Sequence, residues 1–362
     1  MKHDQRRKIC GRFFSVMLAA ILFFCASVCA APKADSYLKN SDDWFAGAEG
    51  RRVADNILTW QTREGIWPKN TDTTTQPYSG RMEDLKGIFD NSATTGELRF
   101  LARSFRVTKD DRYRKSFERG LDTILKFQYP TGGWPQAVPP GPGYSRHITF
   151  NDDAMVRLMN FVLDVARSPD FEFVDPDRRK AAAAAFDRGI ECILKCQIVT
   201  GGKKTVWCAQ HDEKDLRPRS ARSYELPSLS GAESAPILRL LMSLDNPSPA
   251  VVEAVEAGVQ WYRSAALTGI RQDKIDGNKV IVKDPAAPPL WARFYEIETG
   301  RPFFCGRDGV KKYDISQIEA ERRNGYAWYG AWGREVFAEY AKWKQRLHAS
   351  PAKKEADKTN SQ

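Results

Sequence analysis

A repeat constrains this chain more than any other feature. Three segments share one plan: "NILTWQTREGIWPKN" from Asn56, "DTILKFQYPTGGWPQ" from Asp122 and "ECILKCQIVTGGKKTVWCAQ" from Glu191. Each is an apolar helical run that ends at a glutamine (Gln61, Gln128, Gln197). Each then meets a glycine turn and a tryptophan (Trp67, Trp134, Trp207). The glutamines are 67 and 69 residues apart, and a fainter copy, "EAGVQWYRSAALTGI", places Gly258 69 residues after Gly189. Self-similarity at a fixed period implies stacked units, none of which buries its apolar face alone.

A second set of apolar segments lies between the first: "ELRFLARSF" from Glu97, "AMVRLMNFVLDVA" from Ala154, "AESAPILRLLMSL" from Ala232 and "LWARFYEIE" from Leu290. Most show apolar residues at i, i+3 and i+4, the period of a helix with one buried face. Strand-like alternation is confined to "KVIVKD" near Val280. The fold class expected is therefore all-α, built from helix pairs about 65–70 residues long with their loops. Such pairs either open into a solenoid or close into an α/α toroid. Long loops rich in Trp and Gly at one end favour the toroid, with those loops lining its mouth. One catalytic domain is expected over residues 31–347, followed by a disordered polar tail, "HASPAKKEADKTNSQ", over 348–362.

The first thirty residues read as a secretory signal peptide: a basic start, "MKHDQRRKICGRF", an apolar stretch, "FSVMLAAILFFCASV", and small residues before Ala30. The alternative is a single N-terminal anchor. Five Lys or Arg and one Asp precede Ala30, so cleavage lowers the formal charge of +10 to about +6. A basic excess on a secreted protein points to an acidic partner. No nucleic-acid motif is present, so an acidic polysaccharide is the better candidate, with no membrane after cleavage and a monomer as the expected state. Four cysteines remain: Cys192, Cys196, Cys208 and Cys305. They either form disulfides or fill the core, and without a CxxC pair a zinc site is not expected.

In a toroid, equivalent positions of successive repeats share one rim. The residues ahead of the second set of helices are "FDNSATTG" with Asp90, "FNDDAM" with Asp152, "ELPSLSG" with Glu225 and Ser228, and "PLWARF" with Arg293. Two carboxylates from separate repeats facing one cavity suit a hard cation such as calcium. Arg222, Arg293 and Arg307 gather on the same rim, and a guanidinium binds a planar carboxylate through two parallel hydrogen bonds. The plainer readings are helix caps for Asp90, Asp152 and Asp153, and surface ion pairs for the arginines. Trp67, Trp134 and Trp207 are either sugar-stacking rings or loop anchors packed on the core. Lys69, in "WPKN", lies near the same mouth. His147 and His211 read as loop or supporting residues.

These residues carry a resemblance. The chain is similar to the bacterial pectate lyases of polysaccharide lyase family 10. The matching stretches are "GIWPKNTDTT", "FDNSATTGELRFLAR", "YRKSFERGLDTILKFQYPTGGWPQ", "RHITFNDDAM", "TVWCAQHD", "ARSYELPSLSGAES" and "RFYEIETGRPFFCGRDGVKKYDISQIEAERRNGYAWYG". They run in order from Gly65 to Gly330, most of the chain. The resemblance implies an (α/α)₃ toroid and calcium-assisted β-elimination on polygalacturonate. It implies Asp90 and Asp152 as calcium ligands, Arg222 as the base, and Arg293 and Arg307 as partners of the substrate carboxylates. Lys69 and Trp134 are read as further substrate contacts. The chain departs from the family at Ser220, two positions before Arg222, where a lysine often stands. Two other readings remain open at this point: a glycoside hydrolase on an α/α toroid, with Glu225 or Asp153 as its second acid, and a noncatalytic pectin-binding protein.

Overall fold

The structure, a computed structural model, describes residues 33–359, with side chains through 347. The segment read as a signal peptide lies outside the described residues. Helices dominate. The chain opens with α1 (Asp42–Ala46) and α2 (Ala48–Thr59). The pairs α3 (Thr95–Thr108) and α4 (Asp111–Lys126), α5 (Ala154–Arg167) and α6 (Pro176–Cys196), and α7 (Ser234–Met242) and α8 (Pro249–Ser264) follow. Two helices end it: α9 (Ala320–Gly325) and α10 (Trp332–Thr359). No described helix is long and apolar enough to cross a membrane.

The repeat seen in the sequence is a repeat of atoms. Trp67, Trp134 and Trp207 are buried, and each indole Nε1 donates to a carbonyl in the last turns of the preceding helix: Ile57, Ile124 and Ile193, at 2.8, 2.8 and 2.7 Å. Trp291 makes a fourth such bond to Tyr262 O at 2.8 Å. These bonds satisfy helix-end carbonyls that have no partner within the helix. The glutamines join neighbours. The side-chain amide of Gln61 donates to Ser116 O in α4, that of Gln128 to Ala185 O in α6 and that of Gln197 to Ala254 O in α8, all at 2.8–2.9 Å. Within each pair a glycine permits close approach. A Cβ at Gly120, Gly189 or Gly258 would fall within 2.8 Å of a side-chain atom of Leu98, Met159 or Leu238.

One layer runs α2–α4–α6–α8 and the other α3–α5–α7–α10. Side chains from both ends of the stack, Lys33 and Asn91 on one side and Trp332 and Glu335 of α10 on the other, line one cavity with residues of α5 and α7. The stack therefore curls into a toroid of three helix pairs and not an open solenoid. The main core contains Phe45, Phe100, Phe117, Phe161, Leu241 and Tyr262.

One expectation needs correction. "LWARFYEIE" is not a helix. Trp291–Ala292 pairs with Tyr329–Gly330, and Phe294–Tyr295 pairs with both Leu229–Ser230 and Pro302–Cys305. The side chains from Trp291 to Tyr295 are all buried, which a helix with one buried face would not achieve. The last member of the α3–α5–α7 layer is α10 instead. Helix α10 runs to Thr359, within the segment 348–362 read as a polar tail, and 360–362 lie outside the described residues. "KVIVKD" is a strand, the second of the hairpin Ile270–Ile275 and Asn278–Lys283, closed by Asp276 and Gly277 at positive φ. The four cysteines are buried free thiols.

Candidate active site

The loops ahead of the second-layer helices are stitched together by short strand pairs. Gly87–Ile88 pairs with Ala137–Val138, Ile148–Thr149 with Gln210–His211, and Leu229–Ser230 with Phe294–Tyr295. Phe89 and Phe150, both buried, donate from their backbone N–H groups to Gln136 O and Ala209 O at 2.9 Å. Each phenylalanine thus anchors the carboxylate region that follows it.

Asp153 holds the N-cap position of α5, but neither Asp152 nor Asp153 caps it through the side chain. Both sit at positive φ, 50° and 64°, and neither side chain accepts a cap hydrogen bond. Left-handed backbone at two consecutive non-glycine residues costs energy, and strain of this kind gathers at functional sites. In the first repeat, Asn91 and Ser92 also have positive φ, and the cap of α3 is Thr94, in a reciprocal box with Glu97.

Asp90 is buried, with 1% of its surface exposed. Its Oδ2 accepts from Lys69 Nζ at 2.6 Å and Gln136 Nε2 at 3.1 Å, and its Oδ1 has no partner. Buried acceptors are nearly always satisfied, so an orphaned carboxylate oxygen is an observation that fits a cation ligand. Asp152 accepts from Asn151 Nδ2 at 2.8 Å and lies 3.4 Å from Arg293 Nη2. Its side chain remains 41% exposed. Arg293 is buried among Asp152, Glu233 and Asn151, with its guanidinium 4.5 Å from the Tyr326 ring. Burial works against its charge, but Glu233, Tyr326 and Asp152 outweigh that, and its pKa is raised. Asn91, Asp152 and Arg293 line the shared cavity, of about 410 Å³. Two larger cavities, of about 760 and 580 Å³, touch none of these side chains.

Arg222 is half-exposed. Its Nε donates to Glu225 Oε2 at 2.8 Å and its Nη2 to Oε1, with the guanidinium 4.9 Å from the Tyr224 ring. The Glu225 bond raises its pKa above the ordinary arginine value. Arg307 is exposed and pairs with Glu321 through two contacts of 3.1 Å. Glu321 also holds Arg322, whose guanidinium is 4.7 Å from Tyr224. Arg307 thereby joins the same network from its outer edge. At the position of departure, Arg219 does not replace the missing lysine. It pairs with Asp212 at 3.0 Å and Asp215 at 3.3 Å.

One assignment fails on geometry. Trp134 is 1% exposed and bonded to Ile124 O, so it has no ring face to offer a sugar and is a loop anchor. Lys69 is near the mouth as expected, on Asp90. His211 is buried and neutral, its pKa pushed down by burial to about 4, and it bonds Leu216 O and Cys208 N. His147, Asp212 and Glu213 lie close enough to suggest a second metal cluster. Arg146 pairs with Glu213 and Arg219 with Asp212, much as Lys69 pairs with Asp90.

Glu233 was missed. It is buried against Arg293 and Ser230, and burial raises its pKa. Its signal was legible: "SGAE" from Ser230 matches "TTGE" from Thr94 as a capping box.

A closed α/α toroid whose mouth combines carboxylates with several guanidiniums defines a receptor for an acidic polymer. Comparisons with known proteins narrow this. The sequence profile of the pectic acid lyases matches residues 61–337. Two solved structures of a family 10 polysaccharide lyase from Cellvibrio cellulosa superpose with TM-scores of 0.75 and 0.74, at 35% and 36% identity. Each match covers 83% of this chain and 95% of the other. The first is an aspartate-to-alanine mutant in complex with trigalacturonic acid. No curated protein sequence matches the chain. The chain belongs to the pectic acid lyase family and is a polysaccharide lyase.

Proposed function

We propose that the chain is a secreted, calcium-dependent pectate lyase that cleaves the α-1,4-linked galacturonan of pectin by β-elimination. The observation that carries this reading is Asp152 beside the buried Arg293, with Asp90 leaving one oxygen unpartnered on the loop of the preceding repeat, in a chain 35% identical to a lyase solved in complex with trigalacturonic acid.

In the reaction, the C5–H bond of a galacturonate breaks and its electrons form the C4=C5 double bond. The C4–O bond breaks, and the glycosidic oxygen leaves and takes up a proton. C5 is a weak carbon acid, so charge on the adjacent carboxylate must be neutralised as the proton leaves. Asp90 and Asp152 would hold calcium, which supplies positive charge to that carboxylate when bound. Arg293 is fixed by Glu233 and the Tyr326 face, and would offer its guanidinium to the carboxylate without reorganising. Arg307, at the edge, would bind a neighbouring uronate. Lys69 neutralises Asp90 without the cation and would turn to substrate once displaced.

Arg222 takes the C5 proton in this reading. Glu225 works against that role, because it holds the guanidinium in its charged form. Arg322, whose positive charge lies near by, and alkaline solution work for it. The role therefore requires that Arg222 give up a proton while Glu225 still holds its Nε and Nη2, which leaves Nη1 to meet the C5 proton.

Incubation with polygalacturonate tests the reaction type. A lyase yields an unsaturated product that absorbs in the ultraviolet. New reducing ends without that absorbance would mean hydrolysis, and binding without cleavage would mean a noncatalytic receptor.

A further inference from the structure

Two of the rim arginines, Arg222 and Arg293, are tied together by a hydrogen bond between Glu225 and Tyr326 that the reaction as described does not use. Tyr326 Oη donates to Glu225 Oε1 at 2.7 Å, and Glu225 in turn grips Arg222 by its Nε, its Nη2 and its backbone N–H. The Tyr326 ring lies 4.5 Å below the Arg293 guanidinium and 5.9 Å from that of Arg222. Tyr326 and Glu225 are both buried or nearly so, and Tyr326 packs against Tyr224 and Trp328 in the small aromatic cluster beneath the mouth. Arg222 and Arg293 come from different repeats, and no hydrogen bond or ion pair joins them directly. Glu225 and Tyr326 supply the link.

We propose that Glu225 and Tyr326 are positioning residues, Glu225 fixing the direction of the Arg222 guanidinium and Tyr326 locking that assembly onto Arg293. The proton-abstracting group and the carboxylate-binding group then face one sugar at a set separation. The inference rests on the lyase reading. Its physical basis is that a shift of about 1 Å at a reacting group costs roughly 10²-fold in rate. Both side chains act by holding the arginines, so their loss should fall on turnover and spare binding.

The test uses the full chain with Glu225→Gln, Tyr326→Phe and the double variant. Phe keeps the ring under Arg293 and removes only the hydroxyl, so it reports the link even where Glu225→Gln folds poorly. Turnover of polygalacturonate, KM, trigalacturonate affinity and melting temperature are measured together. Each single variant should lower kcat by about tenfold or more while KM and affinity stay within about threefold. Because the Tyr326 hydroxyl reaches Arg222 only through Glu225, the double variant should be no more than about threefold worse than Glu225→Gln alone. Unchanged kcat in Tyr326→Phe, a loss carried by KM, or effects that multiply would overturn the proposal. A wild-type chain that never yields the ultraviolet-absorbing product overturns the lyase reading, and this inference with it.

Discussion

In the ring of helices, each repeat meets the same requirement with the same atoms. Trp67, Trp134 and Trp207 bond the ends of successive helices, and Gln61, Gln128 and Gln197 bond the next helix along. At the mouth, corresponding positions diverge. Asp90 is buried with one free oxygen, whereas Asp152 is half-exposed on left-handed backbone beside Arg293. Glu97 closes a capping box and little else, whereas Glu233, at the equivalent place, holds a buried arginine. Positions that stay the same around the toroid maintain it, and positions that differ build the site.

That contrast can be broken by mutation. The largest effect is expected in the ring. Trp134→Ala should cost about 3–5 kcal/mol of stability, by lost burial and the cavity left behind, while activity per folded molecule is kept. Melting curves with active-site titration check this, and a selective loss of substrate affinity would restore Trp134 to the mouth. Next is Asp152→Asn, which tolerates the positive φ better than Ala. Activity should fall about 10²–10³-fold with little change in melting temperature. Asp153→Asn should change activity far less, and kinetics showing the reverse would exchange their roles. Arg307→Ala should move stability by no more than about 0.5 kcal/mol, since its partner Glu321 is exposed. A severalfold rise in KM should accompany it.

The smallest effect concerns Glu97. Burial raises its carboxyl from 4.5 to about 7 in the folded chain. The unfolded chain therefore loses this proton first as pH rises, so the contribution to stability falls between about 4.5 and 7 and is level above. Glu97→Gln keeps acceptor capacity for Thr94 N–H and should flatten that fall. Melting temperatures across the pH range check the sign.

The ring was legible because its period is written in residue types whose bonds repeat. The rim candidates followed, since a repeat fixes which loops are neighbours. "LWARFYEIE" misled because an apolar period of three or four is also met by consecutive short strands buried on both faces. Trp134 misled because a tryptophan after a glycine turn reads alike whether its ring faces sugar or core. The positive φ of Asp152 and Asp153 is written nowhere in the residue types, since Asn and Asp are equally at home as caps. The aromatic cluster under the mouth draws Tyr224, Phe294, Phe303 and Trp328 from distant loops, so no periodicity marks it.

The central claim is that Asp90 and Asp152 together make the mouth a calcium-dependent catalytic site. Its most direct test is calcium titration of chelator-stripped wild type, Asp90→Asn and Asp152→Asn, reading calorimetric binding and ultraviolet-absorbing product from polygalacturonate in parallel. The account predicts that calcium restores activity to the wild type and that both variants lose affinity and turnover together. Full turnover of the stripped wild type, or undiminished calcium affinity in both variants, would contradict it.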